Sequence, residues 1–206
     1  MMTRVKICGL KEVEHVKAAV AAGADFIGLM FAPSKRRITV EQAATLAAHI
    51  PANVKKVGVF VNEDAEIIKQ IAAQVGLDYI QYHGDETAEE ITAIGLPAIK
   101  AFSIRTQADV AHAATYNVDY YLFDAPGSDF RGGSGHSFDW TLLDDVSISL
   151  DKVILAGGLT EENVGIAIML VEPFAVDVSS GVEVDGRKDS DKIKSFVERA
   201  KGELIL

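Results

Sequence analysis

The feature of this sequence that most constrains its fold is an eightfold alternation of short apolar segments with longer amphipathic or alanine-rich segments. The short segments are rich in β-branched residues and predict strands, whereas the longer segments have the apolar spacing of helices. The predicted strands span residues 5–9, 25–31, 56–61, 78–84, 98–103, 119–125, 153–157 and 175–180. The predicted helices span residues 11–22, 40–49, 64–75, 87–94, 106–116, 138–145, 161–170 and 191–201.

Strands that alternate with helices predict an α/β protein with a parallel sheet and helical crossovers. Eight such units are the number that closes into a (β/α)₈ barrel, the TIM barrel. No linker, low-complexity tract or charge block divides the chain, so residues 1–206 are expected to form a single-domain barrel. The alternative is an open doubly wound sheet, which seldom needs eight regular units. A Gly-x-Gly-x-x-Gly motif after the first strand is also absent.

Local signals mark several helix ends. Gly23 and Gly76 follow predicted helices where a left-handed residue is favoured. Thr87 and Glu90 have the spacing of a capping box. Thr160 precedes two acidic residues and an apolar run, which predicts a further N-cap.

Charge and cysteine content narrow the classes of partner. Twenty basic and 30 acidic residues give a net charge of −10, which argues against a general nucleic-acid or membrane binder. No apolar run approaches the roughly 18 residues of a membrane span, and no signal peptide is recognisable. The single cysteine, Cys8, excludes an internal disulfide and a cysteine-only zinc site. We expect a soluble cytoplasmic protein.

The histidines give no metal-binding pattern. Three of the five lie on predicted helices and are expected at the surface, namely His15, His49 and His112. His83 ends the fourth strand and His136 follows a glycine-rich loop, so either could contact a ligand. Because no His-x-His or His-Glu-x-x-His spacing is present, we predict no metal.

Active sites of such barrels lie at the carboxyl ends of the strands. In the first strand Lys6 and Cys8 share the face expected to point into the barrel. A lone cysteine is commonly a small buried apolar residue, but a nearby ammonium favours a thiolate that could act as base or nucleophile. Asp124 ends the sixth strand, either as a capping or ion-paired residue or as an acid whose pKa is raised by burial.

Glycine- and serine-rich loops follow the last three strands, where backbone N–H groups can hold an anion. The loops after the seventh and eighth strands are the usual phosphate position of this fold. The basic loop 33–37 after the second strand fits either a solvated surface loop or an anionic substrate. The loop residues of interest are Gly132, Gly133, Ser134 and Gly135, then Gly157 and Gly158, then Ser179, Ser180 and Gly181.

Eight motifs, met in order over nearly the whole chain, together resemble the phosphoribosylanthranilate isomerase family. They are residues 6–9 (KICG), 34–37 (SKRR), 57–62 (VGVFVN), 81–84 (QYHG), 132–135 (GGSG) followed by 138–140 (FDW), 155–159 (LAGGL) with Asn163, and 176–183 (VDVSSGVE). Two positions depart from the family pattern as we expect it. Tyr82 replaces an aliphatic residue and is expected to face the helices, and His136 leaves any ligand contact from its position open.

The resemblance implies an Amadori rearrangement in tryptophan biosynthesis, without metal or other cofactor. It implies that Cys8 is the base and Asp124 the acid, and that Arg36 binds the anthranilate carboxylate. It places the phosphate on Gly157, Gly158, Ser179, Ser180 and Gly181, with Gly133 and Gly135 near the same end, and it leaves Asp177 a ribose-binding or structural role. The partner is then a phosphorylated small molecule, bound by a monomer or alternatively by a homodimer.

Other phosphate-binding barrels remain as alternatives. The histidine-pathway aminoaldose–ketose isomerase uses two acids and has two similar halves, whereas this chain offers Cys8 in its first strand and no matching halves. An indoleglycerol-phosphate synthase would need catalytic lysine and glutamate at several strand ends and an N-terminal extension. A non-catalytic sugar-phosphate-binding barrel would not need both Cys8 and Asp124.

Overall fold

The computed structural model describes residues 2–125, 139–143 and 147–202. Within these residues eight parallel strands form a closed barrel in chain order, and β1 pairs with both β2 and β8. Closure confirms the predicted TIM barrel and excludes the open sheet. The strands are β1 Arg4–Cys8, β2 Phe26–Met30, β3 Lys55–Phe60, β4 Tyr79–Tyr82, β5 Ala98–Ser103, β6 Tyr120–Asp124, β7 Val153–Leu155 and β8 Ala175–Val178.

Helices cover the outside of the barrel, and a small hairpin follows β8. Strands β9 (Glu183–Val184) and β10 (Arg187–Lys188) pair antiparallel in that hairpin. In the described residues no helix is long and apolar enough to cross a membrane. The helices are α1 Val13–Ala22, α2 Val40–Ala47, α3 Ala65–Val75, α4 Ala88–Ile94, α5 Gln107–Ala113, α6 Val164–Val171 and α7 Ser190–Ala200, with 3₁₀ turns at Trp140–Leu143, Leu150–Lys152 and Ser180–Val182.

Several predicted helix ends are confirmed. Gly23 and Gly76 adopt the left-handed conformation after α1 and α3. Thr87 and Glu90 form a reciprocal capping box at α4, in which each side chain accepts a backbone N–H of the other residue. These contacts satisfy backbone groups that the first and last helical turns leave unpaired.

Two helix predictions after β6 were wrong in detail. Of the predicted helix 138–145, the described part forms only a 3₁₀ turn, in which the Leu142 N–H donates to the Asp139 carbonyl oxygen at 3.2 Å. Asp139 also accepts hydrogen bonds from the N–H and the hydroxyl of Thr141. Phe138 and residues 144–145 lie outside the described residues. Thr160 opens a turn rather than α6, whose N-cap is Asn163.

The prediction for one histidine was also wrong. His49 and His112 are exposed as expected, but His15 is buried on the inner face of α1 beside Val16 and Ala19. Its Nε2 lies 3.5 Å from a Glu14 carboxylate oxygen.

Aspartates at the amino end of the barrel connect neighbouring strands. Asp25, Asp78 and Asp119 precede β2, β4 and β6, and each accepts the backbone N–H of a residue in the preceding strand. These N–H···O distances are 2.8 Å. Because a hydrogen bond to a charged acceptor is stronger than one to a neutral acceptor, these contacts fix strand register at the end opposite the predicted site.

The barrel closes across a buried ion pair. Lys6 in β1 stands opposite Asp177 in β8, and its Nζ donates to Asp177 Oδ1 at 2.9 Å. The Lys6 side chain is 0% exposed. Val5 and Ile7, on the other face of β1, pack in the apolar layer between strands and helices, which confirms the predicted orientation of this strand.

We expect Lys6→Met to lower the free energy of unfolding by about 3–5 kcal/mol, because the buried Asp177 carboxylate would lose its partner. Urea unfolding followed by circular dichroism measures this loss. Lys55→Met is the matched control, since Lys55 pairs with Asp78 at the half-exposed rim, where a pair contributes less than about 1 kcal/mol. A loss no larger at Lys6 than at Lys55 would contradict the structural importance of the buried pair.

Candidate active site

Cys8 ends β1 directly above the buried ion pair. It is 4% exposed and stands opposite Gly28 of β2. A Cβ at residue 28 would lie 2.6 Å from the Cys8 Sγ, so glycine provides the space that the thiol occupies. The site therefore depends on a small residue in the neighbouring strand as well as on the cysteine.

The charge state of Cys8 differs from the sequence expectation. Burial raises the pKa of the thiol, and the Asp177 carboxylate acts in the same direction. Lys6 and Lys188 oppose this, but the net pKa lies above its ordinary value. Lys6 acts in the expected direction, yet its ammonium is already paired with Asp177 and does not outweigh burial. The thiol is therefore protonated at neutral pH when no ligand is bound.

Asp124 ends β6 and is buried, as its apolar strand suggested. Burial is the main cause that raises its pKa to about 7, and the Asp177 charge adds to this effect. The Ala125 N–H and the Lys6 ammonium act in the opposite direction but are weaker. A carboxyl group in this state holds a proton near neutral pH and can donate it, which is the property predicted for an acid at this position.

His83 lies beside Asp124, with its Nε2 3.7 Å from Asp124 Oδ2. Its other ring nitrogen, Nδ1, lies 3.2 Å from Nε2 of Gln81 in β4. If the Gln81 amide donates to Nδ1, the proton of the neutral imidazole resides on Nε2 and faces the carboxyl group. Gln81 belongs to the QYHG motif, and its period-2 relation to His83 is the signal that places both on one face.

The basic loop after β2 supplies Arg36. Its Nε and Nη2 donate to the two carboxylate oxygens of Glu183 at 2.6 and 2.8 Å. Lys188 Nζ donates to the same carboxylate at 2.7 Å. Gly9 makes room for this contact, since a Cβ there would lie 2.6 Å from the Arg36 side chain. Neither Glu183 nor Lys188 was assigned a role from the sequence.

The loops after β7 and β8 lie against each other. Gly157 and Gly158 are both left-handed, and a Cβ on Gly157 would overlap the Ala125 backbone. Asn163 holds this loop by accepting from the Thr160 N–H and donating to the Gly158 carbonyl oxygen.

Gly181 packs so closely on Leu159 that a Cβ would overlap its carbonyl oxygen. Ser179 donates its hydroxyl to the Cys8 carbonyl oxygen at 3.2 Å, and Ser180 opens the 3₁₀ turn beside it. The predicted phosphate residues on these two loops are therefore neighbours, and they adjoin the cysteine. Gly133, Gly135 and His136 lie outside the described residues.

In the described part of the chain, Glu12, Glu14 and His15 each have a side-chain atom that could bind a metal ion, and these atoms lie within 4.8 Å of one another. The Glu12 carboxylate already accepts a hydrogen bond from Arg187 Nε at 2.9 Å, so the positive charge of Arg187 already pairs with this acidic cluster. The cluster gives no reason to revise the prediction that the site contains no metal, which stays a prediction.

A family model and the curated relatives agree on one family. A family model described as N-(5'-phosphoribosyl)anthranilate (PRA) isomerase matches residues 5–199. The chain belongs to this family. It is 48% identical over 198 residues to the N-(5'-phosphoribosyl)anthranilate isomerase of Bacillus cereus, which covers 96% of this chain and 98% of that protein.

Solved structures of PRA isomerases have the same fold. One, in complex with reduced 1-(o-carboxyphenylamino)-1-deoxyribulose 5-phosphate, superposes with a TM-score of 0.85 at 41% identity and covers 98% of this chain and 100% of that chain. Another contains monomers of the dimeric PRA isomerase of Thermotoga maritima, with a TM-score of 0.85, 40% identity and the same coverage. The resemblance inferred from the eight motifs is confirmed at the level of family and fold.

We expect Asp124→Asn to stabilise the folded protein at pH 8. Well below pH 3.8 both folded and unfolded chains carry the Asp124 proton, so this carboxyl group adds no difference in stability. Between its ordinary pKa of 3.8 and the folded value of about 7, ionisation increasingly favours the unfolded chain. The gain from Asn should therefore grow from pH 4 to pH 7 and stay constant above it.

Thermal unfolding of parent and variant across this pH range measures the effect, at roughly 2–4 °C in Tm for each kcal/mol. Asp151→Asn, an exposed aspartate at the opposite end of the barrel, is the control and should follow the parent. A constant difference between Asp124→Asn and parent from pH 4 to pH 8 would contradict the raised pKa.

Proposed function

We propose that this PRA isomerase of tryptophan biosynthesis works by general acid–base catalysis, with Asp124 as the acid and Cys8 as the base. The reaction converts N-(5'-phosphoribosyl)anthranilate, an aminoaldose, into 1-(2-carboxyphenylamino)-1-deoxyribulose 5-phosphate, an aminoketose. The observation that carries the proposal is a buried carboxyl group with a pKa of about 7 in the same barrel mouth as a buried thiol. Titratable groups with shifted pKa values that lie together in a cleft indicate an active site.

In the first step Asp124 donates its proton to the ring oxygen of the furanose. The bond between that oxygen and C1 breaks, and the nitrogen lone pair forms the C1–N double bond of a protonated Schiff base. Asp124 becomes a carboxylate, and His83 and Lys6 are the groups that can stabilise its negative charge. Asp177 opposes this ionisation, and so keeps the proton on Asp124 near neutral pH until the substrate takes it up.

In the second step Cys8 removes the C2 proton. The electron pair of the C2–H bond forms a C1–C2 double bond, and the C=N electrons return to nitrogen, which gives an enolamine. Cys8 must be a thiolate for this step, so its own thiol proton first passes to solvent. Lys6 and Lys188 lower the pKa of the thiol against the effect of burial. The positive charge of the Schiff base would act in the same direction. Tautomerisation of the enolamine then gives the ketone.

The anionic ends of the substrate fit two separate parts of the site. The outer N–H groups of Arg36 suit the anthranilate carboxylate, because a guanidinium binds a carboxylate through paired hydrogen bonds. The loops with Gly157, Gly158, Ser179, Ser180 and Gly181 suit the phosphate, because glycine backbone N–H groups and serine hydroxyls in such loops can hold an anion. Asp177 is paired with Lys6, so we assign it an electrostatic role.

The catalytic unit in this proposal is one chain acting in the cytoplasm. Because one barrel supplies every described residue assigned a role, the proposal does not need a second copy of the chain. The dimeric relative from Thermotoga maritima makes a homodimer the alternative, and sedimentation at working concentration distinguishes the two states.

We expect Cys8→Ser and Asp124→Asn each to lower kcat by about 10²–10⁴-fold, because each removes one proton-transfer group. Substrate binding should change little, so KM should stay within a few-fold. The assay follows the loss of substrate fluorescence after anthranilate and phosphoribosyl pyrophosphate are combined by the preceding enzyme.

Asp151→Asn should match the parent in the same assay. Full turnover by Cys8→Ser would remove the proposed base, and full turnover by Asp124→Asn would remove the proposed acid. No turnover by the parent would contradict the activity itself, and the histidine-pathway substrate would then be the next to test.

A further inference from the structure

In the described structure the Arg36 guanidinium already binds a carboxylate of the protein itself, that of Glu183. Its Nε and one N–H of Nη2 are used by Glu183. A guanidinium has five N–H donors arranged in two forks. Glu183 fills the inner fork, so the outer fork, made by Nη1 and the second N–H of Nη2, is the edge left for a ligand carboxylate. Arg36 is therefore oriented before any substrate arrives.

Glu183 is itself fixed by Lys188. The two residues are directly opposite in the β9–β10 hairpin, and Lys188 Nζ donates to Glu183 Oε1 at 2.7 Å. Their side chains are 8% and 4% exposed. Burial raises the pKa of Glu183, but hydrogen bonds from Arg36 and the charge of Lys188 outweigh it, and the net pKa lies below the ordinary value. The group is thus an ionised carboxylate between two cations.

The same lysine reaches the loop after β8. Its Nζ donates to the Ser179 carbonyl oxygen at 2.8 Å and lies 3.3 Å from the Ser179 hydroxyl. Lys188 thereby links the residue that orients Arg36 with a loop assigned to phosphate binding. A single buried ammonium stands between the two proposed anion subsites.

We propose that Glu183 and Lys188 are positioning residues that fix the outer edge of Arg36 at a set distance from the phosphate loop, and so select substrates whose aryl group carries a carboxylate. This inference rests on the proposed function. Neither side chain needs to touch the ligand: Glu183 acts through Arg36, and Lys188 acts through Glu183 and Ser179. Selection then arises from orientation of the donor as well as from its charge.

Two synthetic ligands test the selection directly. One is reduced 1-(o-carboxyphenylamino)-1-deoxyribulose 5-phosphate, and the other is the same compound without the carboxylate. We expect Glu183→Gln to weaken binding of the first about tenfold and to change binding of the second less than about twofold, because only the first uses Arg36. Calorimetric titration measures both affinities, and KM should rise about tenfold with kcat nearly unchanged.

The control is Asp185→Asn, which also replaces a carboxylate by an amide in the same hairpin but at an exposed position. It should match the parent with both ligands. Lys188→Met should weaken both ligands, because Lys188 contacts both Glu183, which orients Arg36, and Ser179 of the phosphate loop. In an Arg36→Met background, Glu183→Gln should cause no further loss, since its effect passes through that arginine.

Equal weakening of both ligands by Glu183→Gln would show general support of the loop and overturn the inference, as would no weakening of either. Glu183→Asp keeps the charge and provides a second test that does not depend on the Gln variant folding. Its loss should be smaller than that of Gln and again confined to the carboxylated ligand, and a loss shared by both ligands would overturn the inference. If the parent binds neither compound and has no turnover, the proposed function fails first, which is a different result.

Discussion

The rest of the structure depends on the buried pair between Lys6 and Asp177. It joins the first and last strands at the seam where the barrel closes, so strand register and barrel closure are linked to one ion pair. The same two charges act on both proposed proton-transfer groups. Asp177 raises the pKa of Cys8 and of Asp124, and Lys6 opposes it at each. Closure of the fold and electrostatics of the site are thus set by the same side chains.

The barrel could be predicted because its signals are local and repeated. Each strand is a short apolar run, and the period of two along a strand is enough to place Lys6 and Cys8 on the inner face. The fold rule that sites lie at strand ends then selected Cys8, His83 and Asp124 from a long chain. Burial of Asp124, and the direction of its pKa, followed from the apolar strand that carries it.

The misses at the active site have a common physical cause, which is contact between groups that are far apart in the sequence or whose effects depend on distance. Arg36 and Glu183 are 147 residues apart, and the hairpin that presents Glu183 is too short to have a periodic pattern. The pKa of the Cys8 thiol depends on the balance between burial, which raises it, and two cations, which lower it. The distances between these groups decide the balance. Threonine is a good N-cap residue, but α6 does not begin after Thr160. The Asn163 side chain binds the preceding loop, and Asn163 is the N-cap of the helix.

The protonation of Asp124 has a thermodynamic consequence for ligand binding. Near neutral pH only part of the molecules hold the proton on Asp124. A ligand that requires the neutral acid therefore finds only those molecules ready to bind it. Binding then draws the missing proton from the buffer, so affinity falls as pH rises through 7. The measured heat of association includes the ionisation enthalpy of the buffer. The barrel therefore exchanges a proton with solution before any covalent bond in the substrate changes.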